Sequence, residues 1–212
     1  MSEVTAQKKV IVGEYRVEHL RPKPECLDKF LPLWELCNQA IDAGNRDAEK
    51  LLRIQMREYC YVVDDQTFEN VVTDNGAKDL LDKYFKGSAY TQTMRMGLAG
   101  AGTKAAADTQ ASHAGWSEVG GANAPVYTGN RPSITFNSAT GTGGAGTRSS
   151  SSPSQSFSIT SSGTVAGCFM NNGGSATKDD TTGILFSAGD FTGGSKTVAN
   201  LDTLNVTYTL TV

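Results

Sequence analysis

From Leu204 to Val212 the chain alternates without a break. Leu204, Val206, Tyr208, Leu210 and Val212 are apolar, and Asn205, Thr207, Thr209 and Thr211 stand between them. A period of two puts each set on its own face of an extended chain, so a half-buried strand is predicted here. Shorter segments of the same kind come before it. In residues 92–98, Met94, Met96 and Leu98 face away from Thr93 and Arg95. Residues 125–128, 133–136 and 156–160 follow, the last with Phe157 and Ile159 inward. Residues 164–170 are apolar enough for a central strand, and 183–187 and 196–198 complete the set. Between them lie turn-forming runs: Asn171-Asn172-Gly173-Gly174, Asp179-Asp180-Thr181-Thr182-Gly183, Ala188-Gly189-Asp190 and Thr192-Gly193-Gly194-Ser195. Short antiparallel strands with one apolar face predict two packed sheets, a β-sandwich of jelly-roll or immunoglobulin-like type. Two long loops are expected, at 100–114 and at 138–154, the second flexible by its Gly/Ser/Thr composition.

The first third of the chain changes period. Val10, Val12 and Leu20 alternate imperfectly with polar residues, which suits a strand or an extended arm that Pro22 and Pro24 bring to an end. Leu27, Phe30, Leu31, Trp34, Cys37 and Ile41 then recur at helical spacing, predicting a helix over 25–43. Pro32 makes it kinked or marks its start, and Gly44 closes it. A second helix over 46–58 turns Ala48, Leu51, Leu52 and Met56 inward, and short strands are expected at 59–63 and 68–72. A third helix has Thr73, Asp74 or Asn75 as its cap, with Ala77, Leu80, Leu81, Tyr84 and Phe85 as its buried face and Gly87 at its end. The fold class is therefore α+β, an N-terminal arm and short helices followed by an antiparallel sandwich.

Charge divides the chain at the same place. Residues 1–86 carry 13 of the 19 Lys and Arg and 16 of the 22 Asp and Glu. This predicts two units, a charged helical segment (1–86) and a neutral β domain (87–212). The net charge of −3 argues against a broad nucleic-acid-binding surface. No apolar run approaches the roughly eighteen residues of a membrane span, so no membrane partner is expected. Val10-Ile11-Val12 is too short for a signal-peptide core, which points to folding in a cytoplasm. Cys26, Cys37, Cys60 and Cys168 match no metal or redox spacing and are expected as reduced thiols packed like small hydrophobes.

Candidate chemistry is sparse. His19 and His113 are the two histidines. A triad composed of Ser112, His113 and Asp108 lacks a nucleophile elbow, and adjacent serine and histidine side chains diverge. The plainer reading is a turn packed by Trp116 with His113 as a polar cap. Residues 97–104 lack the full phosphate-loop spacing and read as a loose hairpin. Asp179, Asp180 and Asp190 could meet calcium at loop tips, but Asp-Asp-Thr-Thr-Gly is ordinary turn chemistry. Trp116 and Tyr127 could stack on a sugar, or could be core. Neither catalysis, a metal nor a cofactor is expected.

A series of motifs points further. Val71-Val-Thr-Asp-Asn-Gly-Ala-Lys-Asp-Leu-Leu-Asp-Lys-Tyr-Phe85 is followed by Met94-Arg-Met-Gly-Leu98, Asp108-Thr-Gln-Ala-Ser-His-Ala-Gly-Trp-Ser-Glu118 and Asn130-Arg-Pro132. Thr164-Val-Ala-Gly-Cys-Phe169, Thr182-Gly-Ile-Leu-Phe-Ser-Ala-Gly-Asp-Phe191 and Asp202-Thr-Leu-Asn-Val-Thr-Tyr208 complete the series. In this order they resemble small virion structural proteins of tailed bacteriophages. Residues 1–70 carry no part of the resemblance. It implies a non-enzymatic virion component, foremost a decoration or cement protein on the capsid surface, with the major capsid protein and its own copies, as dimer or trimer, for partners. A tail, collar or head-fibre component and a glycan- or receptor-binding module are the alternatives. The expected attachment surface is the N-terminal segment, through Val10, Val12, Tyr15, Leu20, Phe30 and Trp34, with the β domain folding without residues 1–24.

Overall fold

The computed structural model describes residues 12–89, 93–141 and 148–211. The described residues open with strand β1 (Val12–Pro22), a short 3-10 turn (Pro24–Cys26) and helices α1 (Leu27–Asp42) and α2 (Arg46–Arg57). Strand β2 (Cys60–Val72) and helix α3 (Asp74–Tyr84) follow. The remainder is β3 (Met94–Ala99), β4 (Glu118–Val119), β5 (Ser133–Ile134), β6 (Ser149–Ser151), β7 (Gln155–Ser158), β8 (Gly163–Val165), β9 (Gly167–Asn172), β10 (Ile184–Asp190), β11 (Lys196–Val198) and β12 (Thr203–Thr211).

The fold is α+β, as the patterning predicts. The main sheet is antiparallel in the order β4-β3-β9-β10-β2-β1-β12-β6, with β5 also on β3 and β7 also on β12. β8 and β11 form a separate two-stranded ribbon. The two halves of the main sheet share one core: Tyr15, Phe68 and Tyr208 from β1, β2 and β12 belong with Met96, Met170 and Phe186 from β3, β9 and β10. The hydroxyl groups of Tyr15 and Ser187 meet across it at 2.9 Å. The expected pair of sheets is thus one hydrogen-bonded sheet with a sandwich-like core. β2 makes the join, because Val71 and Val72 pair with Ala188 and Ser187 of β10 while residues 60–70 pair with β1.

β12 follows its alternation: Leu204, Val206 and Tyr208 are buried and Asn205, Thr207 and Thr209 are half-buried. Val212 lies outside the described residues. α1 and α2 also form where their spacing predicts, but Leu31 and Leu51 of the expected stripes face outward. Phe30, Trp34 and Cys37 pack with Met56 in a second cluster, joined by Leu52, Tyr59 and Leu201. α1 runs through Pro32 rather than starting there.

Several expectations are corrected. Lys86 marks no boundary in the sheet, since β1 lies between β2 and β12 in the middle of it, over the register Val12–Thr211 to Leu20–Thr203. The high charge of residues 1–86 comes from helices and from strands with one wet face, as in the exposed Glu14 and Arg16 that flank buried Tyr15. Residues 12–22 are therefore a central strand and not a dispensable arm. The two short strands expected at 59–63 and 68–72 are one strand, with a register shift opposite His19 and Leu20. The strand expected over 164–170 is broken at Ala166, which separates β8 from β9.

The third helix has a different buried face. Thr73 caps it, its hydroxyl accepting from the Gly76 amide at 3.0 Å and donating to the Leu185 carbonyl. Gly76 then sits directly on β10, where a Cβ would collide with the carbonyl oxygen and Cα of Phe186. This contact rotates Leu81, Tyr84 and Phe85 outward, leaving Tyr84 81 % and Phe85 77 % exposed.

Candidate functional site

Several residues of the motifs quoted above form ties between loops. Glu118, at the start of β4, and Arg131, just before β5, make a buried bidentate pair, with Arg131 Nε donating to Oε1 at 2.9 Å and Nη2 to Oε2 at 2.5 Å. Arg131 also donates to the Ser175 and Asp180 carbonyls, and the Asp179 amide donates to Glu118. Burial alone would lower the pKa of Arg131; the hold of Glu118 outweighs it and raises that pKa. Asp202 is fully buried and gathers His19 Nε2 at 2.7 Å, the Arg21 guanidinium through two bonds and the Ala199 amide at 2.8 Å. Burial alone would raise its pKa, but the bonds from Arg21 and His19 keep its carboxyl below the usual range.

The other candidate groups are engaged in the same manner. Asp108 accepts from Trp116 Nε1 and from the Ala105 amide, while His113 stacks on the Trp116 ring and bonds its carbonyl. This is the packed turn, and Asp108 faces Trp116 rather than His113. Lys104, from the glycine-rich run, bonds the Gly100 and Gly102 carbonyls and pairs with Asp190. Asp179 accepts from the Ala122 amide, and Asp180 from Thr182. Among the described residues, no group of three or more His, Cys, Asp and Glu is placed to hold a metal. Likewise, no helix there is long and apolar enough to cross a membrane. Trp116 and Tyr127 are 4 % and 2 % exposed, packed against Phe169 and Phe157, so neither offers an open face to a sugar. The thiols of Cys37 and Cys168 are buried, and those of Cys26 and Cys60 half-buried.

The residues expected to attach the chain to a partner are placed differently from the expectation. Val10 lies outside the described residues, and Val12 is exposed at the start of β1. Tyr15, Leu20, Phe30 and Trp34 are all buried within the chain itself. Apolarity in an alternating or helical pattern marks the side that faces the core, and that side is filled by this chain's own sheet and helices. They are not available as an adhesive surface in this fold.

A cleft of about 840 Å³ opens instead along α2. Glu18, Leu20, Thr203 and Asn205 from β1 and β12 line it, together with residues near 128–135 and 153–157. Arg46, Lys50, Arg53 and Arg57 line it from the helix, at the i, i+4, i+7 and i+11 positions that share one helical face. Arg53 ties α2 to β7: Nε donates to Glu49 at 2.9 Å and Nη2 to the Ser156 carbonyl at 3.3 Å, while Nη1 is buried with no acceptor. Arg57 pairs with Glu18, which also accepts from Asn205. The Arg57 hydrogen bond holds the Glu18 carboxyl below its usual pKa, against the opposing effect of burial. The hydroxyl of Thr128, a lining residue, donates to Asn38 Oδ1 of α1 at 3.0 Å. Neither apolar spacing nor overall charge content reveals this site; the helical spacing of the four cations is the signal for it.

Comparison with families of proteins, with characterised proteins and with solved structures finds no match to this chain.

Proposed function

We propose that this chain is a non-enzymatic structural component of a bacteriophage particle, foremost a decoration protein bound to the shell of major capsid protein. The observation that carries the reading is the use made of the motif residues that resemble virion proteins. Asp108, Trp116, Glu118, Arg131, Thr182 and Asp202 hold loops and strand ends to one another. These ties hold loops and strand ends in one β body, which suits a load-bearing part. The exposed Leu81, Tyr84 and Phe85 and the cleft along α2 supply surfaces for contact, in place of the buried N-terminal residues.

A tail or collar component rests on the same residues and differs in abundance. Quantitative mass spectrometry of purified particles from a culture that makes this chain separates the two. A copy number comparable to that of the major capsid protein supports decoration. A few copies per particle moves the chain to tail or collar, and absence from particles overturns the reading.

A further inference from the structure

We infer that the cleft along α2 receives an extended acidic segment of a partner protein. The inference rests on the structural-component reading and names the chemistry of the attachment. Its volume, about 840 Å³, lies within the range of roughly 300–1,000 Å³ typical of ligand pockets and suits a few residues of a peptide. Its charge is uneven. Arg53 and Arg57 are matched by Glu49 and Glu18, whereas Arg46 and Lys50 form no ion pair among the described residues and stand exposed at the rim. A carboxylate entering the cleft meets two uncompensated cations at the rim. Further in, the Arg53 guanidinium has an unused donor at Nη1. On the facing wall the charge of Arg131 is matched by Glu118, and Thr128, Asn130, Ser133, Ser154 and Gln155 offer hydroxyl and amide groups that can bond a peptide backbone. Asp42, Glu18 and Glu49 also line the cleft and would repel a continuous polyphosphate. The mixture therefore favours spaced carboxylates over nucleic acid.

The test uses the full chain and a fluorescein-labelled octapeptide of alternating glutamate and serine, read by fluorescence anisotropy. Saturable binding is expected, weakened roughly tenfold or more in R46E/K50E and unchanged in K78E/K86E, whose charges lie on and beyond α3. Thermal melting of the double variant should match the parent because both side chains are exposed. If it melts early, R46Q and K50Q singly carry the same comparison. The inference is overturned if the peptide does not bind saturably, if both double variants weaken binding equally, or if a thymidine oligonucleotide of equal charge binds more tightly. Incorporation of R46E/K50E into particles keeps the two claims apart. Normal incorporation overturns the cleft's role and leaves the structural reading standing, whereas absence of the parent chain from particles overturns the structural reading, and the peptide titration still decides the cleft.

Discussion

Glu118→Ala removes the carboxylate from a guanidinium that has no access to water. Arg131 is fully buried at its side chain and Glu118 is 4 % exposed, so neither charge can be rescued by solvent. After the substitution the Arg131 guanidinium keeps the Ser175 and Asp180 carbonyls and the Phe169 ring face but no counter-charge, and the Asp179 amide loses its acceptor. Breaking a buried pair from one side costs about 3–5 kcal/mol, because the remaining charge is left uncompensated. Against a total stability of about 5–15 kcal/mol this is a large fraction. Asp65→Ala is the internal control. It breaks the Arg16–Asp65 pair at 2.8 Å, whose side chains are 63 % and 39 % exposed, and such surface pairs contribute about 0–1 kcal/mol. Urea unfolding followed by tryptophan fluorescence reads both, since Trp116 and Trp34 are buried in the folded chain. The cycle through Arg131→Ala and the double variant should give a coupling of about 1.5–3 kcal/mol, the double costing less than the sum of the singles. If Glu118→Ala costs no more than Asp65→Ala, or the coupling is near zero, the pair does not tie β4 to β5 as described.

Three further outcomes follow from the same structure. Deleting residues 1–24 removes Tyr15, Val17 and Leu20 from the core and strips β2 and β12 of their shared neighbour, so cooperative unfolding should disappear; a truncated chain with a sharp melting transition refutes the placement of β1. The carboxyl of Asp202 has a depressed pKa when folded, so its stabilising contribution is present above the unfolded value of about 3.9 and is lost as pH falls through the folded one. The urea midpoint of Asp202→Asn should therefore lie well below the parent's at pH 7, with the gap closing in acid, and a gap that does not change with pH contradicts the arrangement. Burial pushes the Cys168 thiol well above its usual pKa and that of Cys60 up to about 11. With Ellman's reagent at pH 8, Cys168 should stay silent until the chain is denatured, and prompt labelling of it in the folded chain would show that β9 is not buried as placed.

Much of the fold is legible wherever one face of an element is buried by near neighbours. β12 reads directly because Leu204, Val206 and Tyr208 face the core while Asn205 and Thr207 do not. A cap among Thr73, Asp74 and Asn75 is legible because capping is local, and the Gly76 amide selects Thr73. What fails is long-range. Glu14, Tyr15, Arg16 and Val17 alternate, yet nothing nearby in the chain shows that β1 belongs between β2 and β12, or that His19 and Arg21 meet Asp202 more than 180 residues later. The composition break at Lys86 separates wet-faced strands and helices from loop-rich, two-sided β structure, and it resembles a domain boundary for that reason only. α3 misleads in a different way. Its apolar residues are regularly spaced, but Gly76, with no side chain, is the residue that allows contact, so Leu81, Tyr84 and Phe85 face outward. The cleft was half legible, in the spacing of Arg46, Lys50, Arg53 and Arg57; its opposite wall comes from residues some 80 to 110 positions further along the chain.

The most direct test of the account is a density map of the particle in which this chain is made. The structural reading predicts the β body resolved as repeated density on the capsid surface, with the α2 cleft turned toward a shell subunit and an acidic segment lying in it. A map in which the capsid surface carries no such density, and the chain is found neither there nor in the tail, contradicts it.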